Sequence, residues 1–450
     1  MTTNRMTLTL PEDSRLRQPE FLYGVATASF QIEGAAETRQ PSIWDRFCAT
    51  PGKIRDGSNG LQACEHVRYW REDVALIESL GVDAYRLSVS WGRLLNADGS
   101  INESGAQFYL DLMDELNRKG IRVFVTLYHW DLPQHLEDKG GWLNRDTAYQ
   151  FRDYADKASR LFGSRVYAYA TLNEPFCSAY LGYEIGIHAP GKAKRSYGRQ
   201  AAHNLLLAHG LAMSVLRKNC PDGLHGIVLN FTPCYPLSSS PADKAAARYA
   251  DDYFNQWFIR PLFTGEYPAI LSSLEEADRP HIEPGDMAII AEPLDYLGVN
   301  YYTREIYRAS PDAPFETVQL DNVERTDIGW EVCPEAFTEL LCSLHKKYPL
   351  PPIYITENGA ATADEPVGER VADEQRIRYY QSHLNAVHKA IEAGVDIRGY
   401  FAWSLMDNFE WAEGYLKRFG IVYVDYPTQK RIIKDSGLAY RDAIVWRSHK

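Results

Sequence analysis

The fold class predicted for this chain is α/β, a (β/α)8 TIM barrel forming a single domain over residues 1–450 with elaborated loops after the strands. Three observations predict it. Eight short apolar, β-branched runs alternate with helical patterns over nearly the whole length, as in the β-α units of a parallel sheet. No Ser/Gly/Pro-rich linker or low-complexity block divides the 450 residues, and α/β barrels exceed the usual domain length as one unit. No Gly-rich dinucleotide turn follows the first run, which argues against a doubly wound open sheet.

The elements follow in order. Phe21–Ala26 is the first strand, followed by a loop and a helix near Glu65–Leu80. Ala84–Trp91 leads to a helix over Ser104–Lys119, closed by Gly120 as a C-cap. Arg122–Tyr128 leads to Asp146–Phe162, and Tyr167–Leu172 to the Ala/Leu/His-rich helix Arg199–Asn219. Gly226–Phe231 leads to Ala242–Phe258, and Asp295–Asn300 to Pro334–Lys347. Ile353–Thr356 leads to Asp373–Ala393, and Arg398–Ser404 to a last helix, Ser436–Trp446.

Composition excludes several functions. A net charge of −12 argues against nucleic acid and anionic membranes as partners. No apolar run is long enough to span a bilayer, and the N-terminal run Met1–Pro11 lacks the apolar core of a secretory signal. The seven cysteines are scattered with no C-x-x-C pair, so reduced thiols in a cytoplasm are expected rather than a disulfide framework or a zinc site. Twelve per cent aromatic residues exceeds what packing alone asks for, and flat apolar ring faces also suit sugars. No metal or other cofactor is expected: there is no H-E-x-x-H and no phosphate loop. Nothing in the sequence signals an oligomeric state.

In such a barrel the chemistry sits at the C-terminal ends of the strands. Those ends are polar and aromatic here: Gln31 and Glu33, Arg86 and Trp91, His129-Trp-Asp131, Asn173-Glu174, Asn230, Asn300-Tyr-Tyr302, Glu357, and Trp403 with Glu410 and Trp411 beyond it. The run Ile353–Thr356 stops at Glu357, followed by Asn358-Gly359, which reads as a tight turn. A carboxylate ending a buried strand is costly without partners, and taken alone it reads as a structural acid held by an Arg or a turn amide. Glu174 gives it a counterpart. Strands four and seven lie on roughly opposite sides of an eight-stranded barrel, so the two acids can face each other across the mouth. Paired carboxyl groups with separated pKa values are the equipment for glycosidic bond cleavage. Arg86 is placed to keep one of them ionised.

Thr171-Leu-Asn-Glu-Pro175 together with Ile355-Thr-Glu-Asn-Gly359 resembles the paired signature of the family 1 glycoside hydrolases, the β-glucosidase family. The likeness covers almost the whole chain, through Phe30–Gly34, Trp44-Asp45, Tyr128–Pro133, His188–Gly191, His203-Asn204, Asn300–Thr303 and Trp403–Trp411. It implies a retaining β-glycosidase acting on cellobiose, short cello-oligosaccharides or other β-glucosides. By the resemblance Glu357 is the nucleophile and Glu174 the acid/base. Gln31, His129, Asn173, Glu410 and Trp411 are implied to hydrogen-bond the non-reducing sugar, with Trp403 as the platform under its ring. Tyr302 and Arg86 are implied to position the nucleophile, and Trp330 to wall the leaving-group side. Carboxyl groups about 5–5.5 Å apart are the retaining expectation.

Intact Glu410 sets the chain apart from the family's phosphoglycosidases, because a carboxylate repels phosphate. Departures from the family pattern fall at Glu65, Leu87, Gly92 and Tyr169, none of them a proposed catalytic group. Glu33, Asp45 and Asp131 are read as structural acids, Trp91, Trp142 and Trp257 as packing, and Cys177 as a small buried filler. A transglycosylating or broad gluco/galacto/fucosidase, and an inactive sugar-binding barrel, are the alternatives.

Overall fold

The computed structural model describes residues 4–448; the first three residues of the N-terminal run and the last two of the chain lie outside them. Eight strands form the centre: β1 Leu22–Ala26, β2 Ala84–Ser88, β3 Arg122–Tyr128, β4 Ala168–Asn173, β5 Leu224–Phe231, β6 Tyr296–Tyr301, β7 Ile353–Asn358 and β8 Ile397–Trp403. They close into a barrel, and β1 pairs in parallel with both β2 and β8. A long helix follows each strand: α1 His66–Ser79, α2 Glu103–Arg118, α3 Asp146–Phe162, α4 Arg195–Asn219, α5 Pro241–Asp251, α6 Pro334–Lys347, α7 Glu374–Glu392 and α8 Asp435–Val445. No helix among the described residues is long and apolar enough to cross a membrane.

The period of two along each strand builds two cores. Leu22, Ala84, Phe124, Val228, Tyr354 and Phe401 belong to an inner cluster that fills the barrel. Phe124 meets Phe401 and Tyr354 there, at ring separations of 4.8 and 5.3 Å. The intervening residues, such as Val25, Tyr85, Val123 and Ile355, join the layer between strands and helices. Arg86 and Asn300 keep the inward parity of Ala84 and Tyr296. Glu357 and Asn173 break theirs. The register of β7 shifts against both neighbours beyond Ile355, and that of β4 shifts against β5 between Ala170 and Asn173. Such irregularities re-aim side chains, and here they fall on the two strands that end in acids.

Three sequence expectations are corrected. The strand predicted to reach Trp91 ends at Ser88; Trp91 opens a short helix and stacks on Tyr154 at 4.9 Å, away from the mouth. The helix predicted as continuous over Ala242–Phe258 is interrupted by a π-helical segment, Asp252–Gln256. Tertiary bonds account for the break: Asn255 donates Nδ2 to the Thr232 carbonyl at 2.9 Å and accepts from the Thr232 N–H at 3.3 Å, tying this segment to the loop after β5. The tight turn predicted at Asn358-Gly359 is not one, because Asn358 still belongs to β7. Gly359 answers a different demand. A Cβ there would lie 1.9 Å from the Trp403 carbonyl oxygen, so only glycine lets the end of β7 press against the end of β8.

Additions at the mouth complete the frame. A second π-helical segment, Cys177–Glu184, follows β4. A three-stranded sheet of Cys234–Pro236, Glu305–Arg308 and Glu316–Val318 stands beside β5 and β6 in sequence, and a hairpin of Val422–Asp425 and Lys430–Ile433 follows β8.

Candidate active site

Glu357, at the end of β7, is buried at the mouth of the barrel. Its Oε2 accepts from Arg86 Nη1 at 2.8 Å, and its Oε1 accepts from the Tyr302 hydroxyl at 2.7 Å. Burial, and then the Glu357 charge, push the Tyr302 phenol far above its ordinary range, which keeps it a neutral donor. Arg86 also donates through Nη2 to Asn173 Oδ1 at 2.7 Å. The Asn300 amide continues the chain, reaching Asn173 Oδ1 at 3.1 Å and Glu174 Oε2 at 2.6 Å. Thr356 anchors that amide by donating to Asn300 Oδ1 at 2.6 Å. One hydrogen-bonded relay from β2, β4, β6 and β7 therefore joins the two acids.

Glu174 follows β4 in a left-handed backbone conformation, φ +49°. Trp130 (φ +82°) and Trp411 (φ +46°) share it, so three of the nine positive-φ non-glycine residues described line this site. Such strain persists only where the surroundings enforce it. Burial first, and the neighbouring Glu357 charge second, push the Glu174 carboxyl well above the ordinary carboxylate range. The bonds from Asn300 and from the Cys177 thiol, at 3.2 Å, act in the opposite sense.

The remaining predicted residues gather on one wall. Asn173 Oδ1 is occupied as an acceptor, so its Nδ2 faces His129 Nε2 as a donor at 3.1 Å. The imidazole then carries its proton on Nδ1. Burial, aided by Arg86, pulls its pKa well below the ordinary value and keeps it neutral. Gln31 is fixed by donating Nε2 to Asn408 Oδ1 (2.9 Å) and the Phe409 carbonyl (2.8 Å). Gln31 Oε1, His129 Nδ1 and Glu410 Oε2 are buried polar atoms with no protein partner among the described residues. Buried polar atoms are rarely left so, and all three belong to residues implicated in gripping a sugar. Burial, then Glu357 and Glu174, push the Glu410 carboxyl up to about 8.

Aromatic rings line the same hollow. Trp403 lies parallel to His129 at 6.0 Å. Trp411 is backed by Trp130 (4.5 Å), Trp44 (4.6 Å) and Phe30 (6.0 Å). Trp330 leans on Tyr302 at 5.4 Å across the cavity, whose volume is about 630 Å³. Every predicted site residue is thus at the mouth. Three strand-end residues are not: Trp91, noted above, Asp131, which accepts from Ser29 at 2.8 Å, and Glu33, held by Arg93 and Tyr109 at 2.8 and 2.6 Å. Sequence reasoning passed over two contacts. Both touch Glu174: Asn300 reads in the sequence as a strand-end residue without a role, and Cys177 as a filler. Its place three residues after Glu174, one helical turn on, was the available signal.

The comparisons with known proteins agree with this geometry. Residues 14–448 match the model of glycosyl hydrolase family 1. The β-glucosidase A of Thermotoga maritima is 45% identical over 431 residues, covering 94% of this chain and 96% of that one. A β-glucosidase from an Agrobacterium species is 45% identical over 442 residues, covering 96% of each. The solved structure of the Thermotoga maritima family 1 glycoside hydrolase with a cyclophellitol analogue transition state mimic superposes with a TM-score of 0.93, at 44% identity and 98% coverage of each chain. By sequence and by fold, the chain belongs to glycosyl hydrolase family 1, a family of retaining glycosidases that hydrolyse O-glycosyl bonds.

Proposed function

We propose that the protein releases the non-reducing β-D-glucosyl residue of cellobiose, short cello-oligosaccharides and related β-glucosides by double displacement, residues 1–450 acting as one catalytic domain. One observation carries the assignment of roles: of two acids joined by a single relay, Glu357 receives the guanidinium and the phenol, while Glu174 is buried and driven toward its protonated form. Glu357 attacks the anomeric carbon. Glu174 passes its proton to the departing oxygen. The resulting ester between Glu357 and the sugar is opened by water, which Glu174 deprotonates, and the β configuration returns. Arg86 and Tyr302 orient the nucleophile. Gln31, His129, Asn173, Glu410 and Trp411 hold the sugar hydroxyls, Trp403 supports the ring, and Trp330 faces the leaving group.

An unphosphorylated sugar suits Glu410, an acid that offers a phosphate no cation to pair with. A cytoplasmic role in breaking down cellulose-derived disaccharides suits seven cysteines that form no disulfide.

Azide distinguishes the two acids. On an aryl β-glucoside, Glu357→Gly is expected to lose essentially all activity and to yield the α-glycosyl azide when azide is added. Glu174→Ala is expected to lose about 10²–10⁴-fold, the usual contribution of a positioned acid, and to yield the β-glycosyl azide. Wild-type rates in both variants would sink the assignment.

A further inference from the structure

A second cavity lies away from the mouth. Its volume is about 420 Å³, within the roughly 300–1,000 Å³ of small-molecule sites. Asp252, Gln256, Arg260, Pro268, Lys347 and Tyr348 line it, and none of them lines the cavity of the two acids. Arg260 belongs to the helix Trp257–Thr264, and Lys347 is the last residue of α6, which leads into β7. Barrel helices run back from the mouth, so the end of α6 and this cavity sit toward the opposite end of the barrel.

Charge left without a partner marks this cavity. Arg260 Nε is buried and has no protein partner among the described residues. The one ion pair of Arg260 among them is long, Nη2 to Glu266 at 3.5 Å, and Glu266 is largely exposed. The side chains of Lys347 and Asp252 enter no ion pair or hydrogen bond among the described residues. The three charges nevertheless act on one another. Burial first, and the Asp251 charge second, push the Asp252 carboxyl up, while Lys347 and Arg260 pull it back. The floor between them is fixed: the Tyr348 hydroxyl donates to Gln256 Oε1, Gln256 Nε2 donates to Asp251 at 3.2 Å, and the Tyr348 ring stacks on Phe263 at 5.6 Å.

Two cations, one carboxylate and a buried phenol ring around one cavity match a guest with an anionic group and several hydroxyls. The guanidinium and the ammonium pair with the anion, and two cations suit the roughly −1.5 to −2 charge of a phosphate monoester. The Asp252 carboxylate accepts from hydroxyls, and the Tyr348 ring lies against apolar ring carbons. Inorganic phosphate would leave Asp252 facing a like charge, and a neutral sugar would leave Arg260 and Lys347 unmatched. We propose that this cavity binds a phosphorylated sugar, at a site separate from the one that holds the two acids.

The test titrates glucose 6-phosphate and inorganic phosphate calorimetrically into wild type, Lys347→Gln, Arg260→Gln and Asp252→Asn. Wild type is expected to bind glucose 6-phosphate about tenfold more tightly than inorganic phosphate, the worth of one charge-assisted hydrogen bond. Lys347→Gln and Arg260→Gln should each weaken glucose 6-phosphate binding about tenfold; Lys347 is exposed, so its variant guards against a folding failure in Arg260→Gln. Asp252→Asn should bring the ratio of the two affinities close to one. All three variants should keep the wild-type kcat/KM for an aryl β-glucoside. Absence of glucose 6-phosphate binding overturns the proposal, as does binding that neither cation variant weakens. Equal affinities for the two probes in wild type would leave an anion site only and overturn the sugar. A KM for the aryl β-glucoside that rises as glucose 6-phosphate is added would place the ligand at the mouth and overturn the separate site.

Discussion

Cys177 packs against one of the two acids at the barrel mouth. Its thiol donates to Glu174 Oε1 at 3.2 Å and so favours the ionised carboxylate. Cys177→Val removes that donor. The alkaline limb of the pH–rate profile is then expected to move upward by roughly a few tenths of a pH unit, as suits a weak S–H donor. Cys177→Ser, which keeps a donor, should leave the limb near its wild-type place; a limb unmoved in the valine variant would remove Cys177 from any role in tuning the acid. Glu410 makes a larger and opposite case. Its carboxyl group is raised from 4.5 to about 8, so folding favours the protonated form. That stability is fully present below pH 4.5 and is lost as pH rises through about 8. Glu410→Gln removes the dependence. Relative to wild type it should gain on the order of 2–4 kcal/mol at pH 8, with the difference vanishing near pH 4, since a tenfold change in proton affinity is about 1.4 kcal/mol. Thermal unfolding across that range reads the effect, and a gain independent of pH would contradict it. The same variant should bind sugar poorly: the carboxyl group is held at this site against its own solvation.

Among the elements, the segment after β8 depends most on buried charge. Lys434 is fully buried, with Nζ donating to Asp364 at 2.5 Å and to Asp407 at 2.7 Å. Arg418 reaches Asp407 at 2.7 Å, and Arg376 reaches Asp364 at 2.8 Å and Asp373 at 2.5 Å. Asp407 is followed by Asn408, which fixes Gln31, and then by Glu410 and Trp411. The network therefore underpins the wall proposed to bind the sugar. Lys434→Met leaves Asp364 to Arg376 and Asp407 to Arg418, each buried carboxylate short of one ion pair, and should cost about 3–5 kcal/mol near neutral pH. Urea unfolding measures it, and an unchanged midpoint would show the lysine to be dispensable. No part of this network was legible in the sequence, because its members are scattered from Asp364 to Lys434 with no repeating interval. Helices were legible where a single apolar stripe faces the barrel, as in α3 and α6, whose predicted bounds Asp146–Phe162 and Pro334–Lys347 are the observed ones. The helix after β5 departs from its local pattern because Asn255 is recruited by Thr232, a contact set by tertiary placement.

For the molecule as a whole, the barrel could be read from eight apolar runs because strands buried on both faces leave a nearly continuous hydrophobic trace. The mouth could be read because polar residues interrupt that trace at the strand ends. The inward aim of Glu357 and Asn173 could not be read from alternation, which points them outward. It comes from register shifts that only neighbouring strands can impose. Gly359 fixes what can change in such a molecule. With the carbonyl of Trp403 occupying the space of its missing Cβ, the strand end bearing Glu357 and the strand end bearing Trp403 form one mechanical part. Neither can be shifted without the other. A substitution that displaces one of these strand ends is then expected to displace the other, whereas the segments added across the cavity lie outside this constraint.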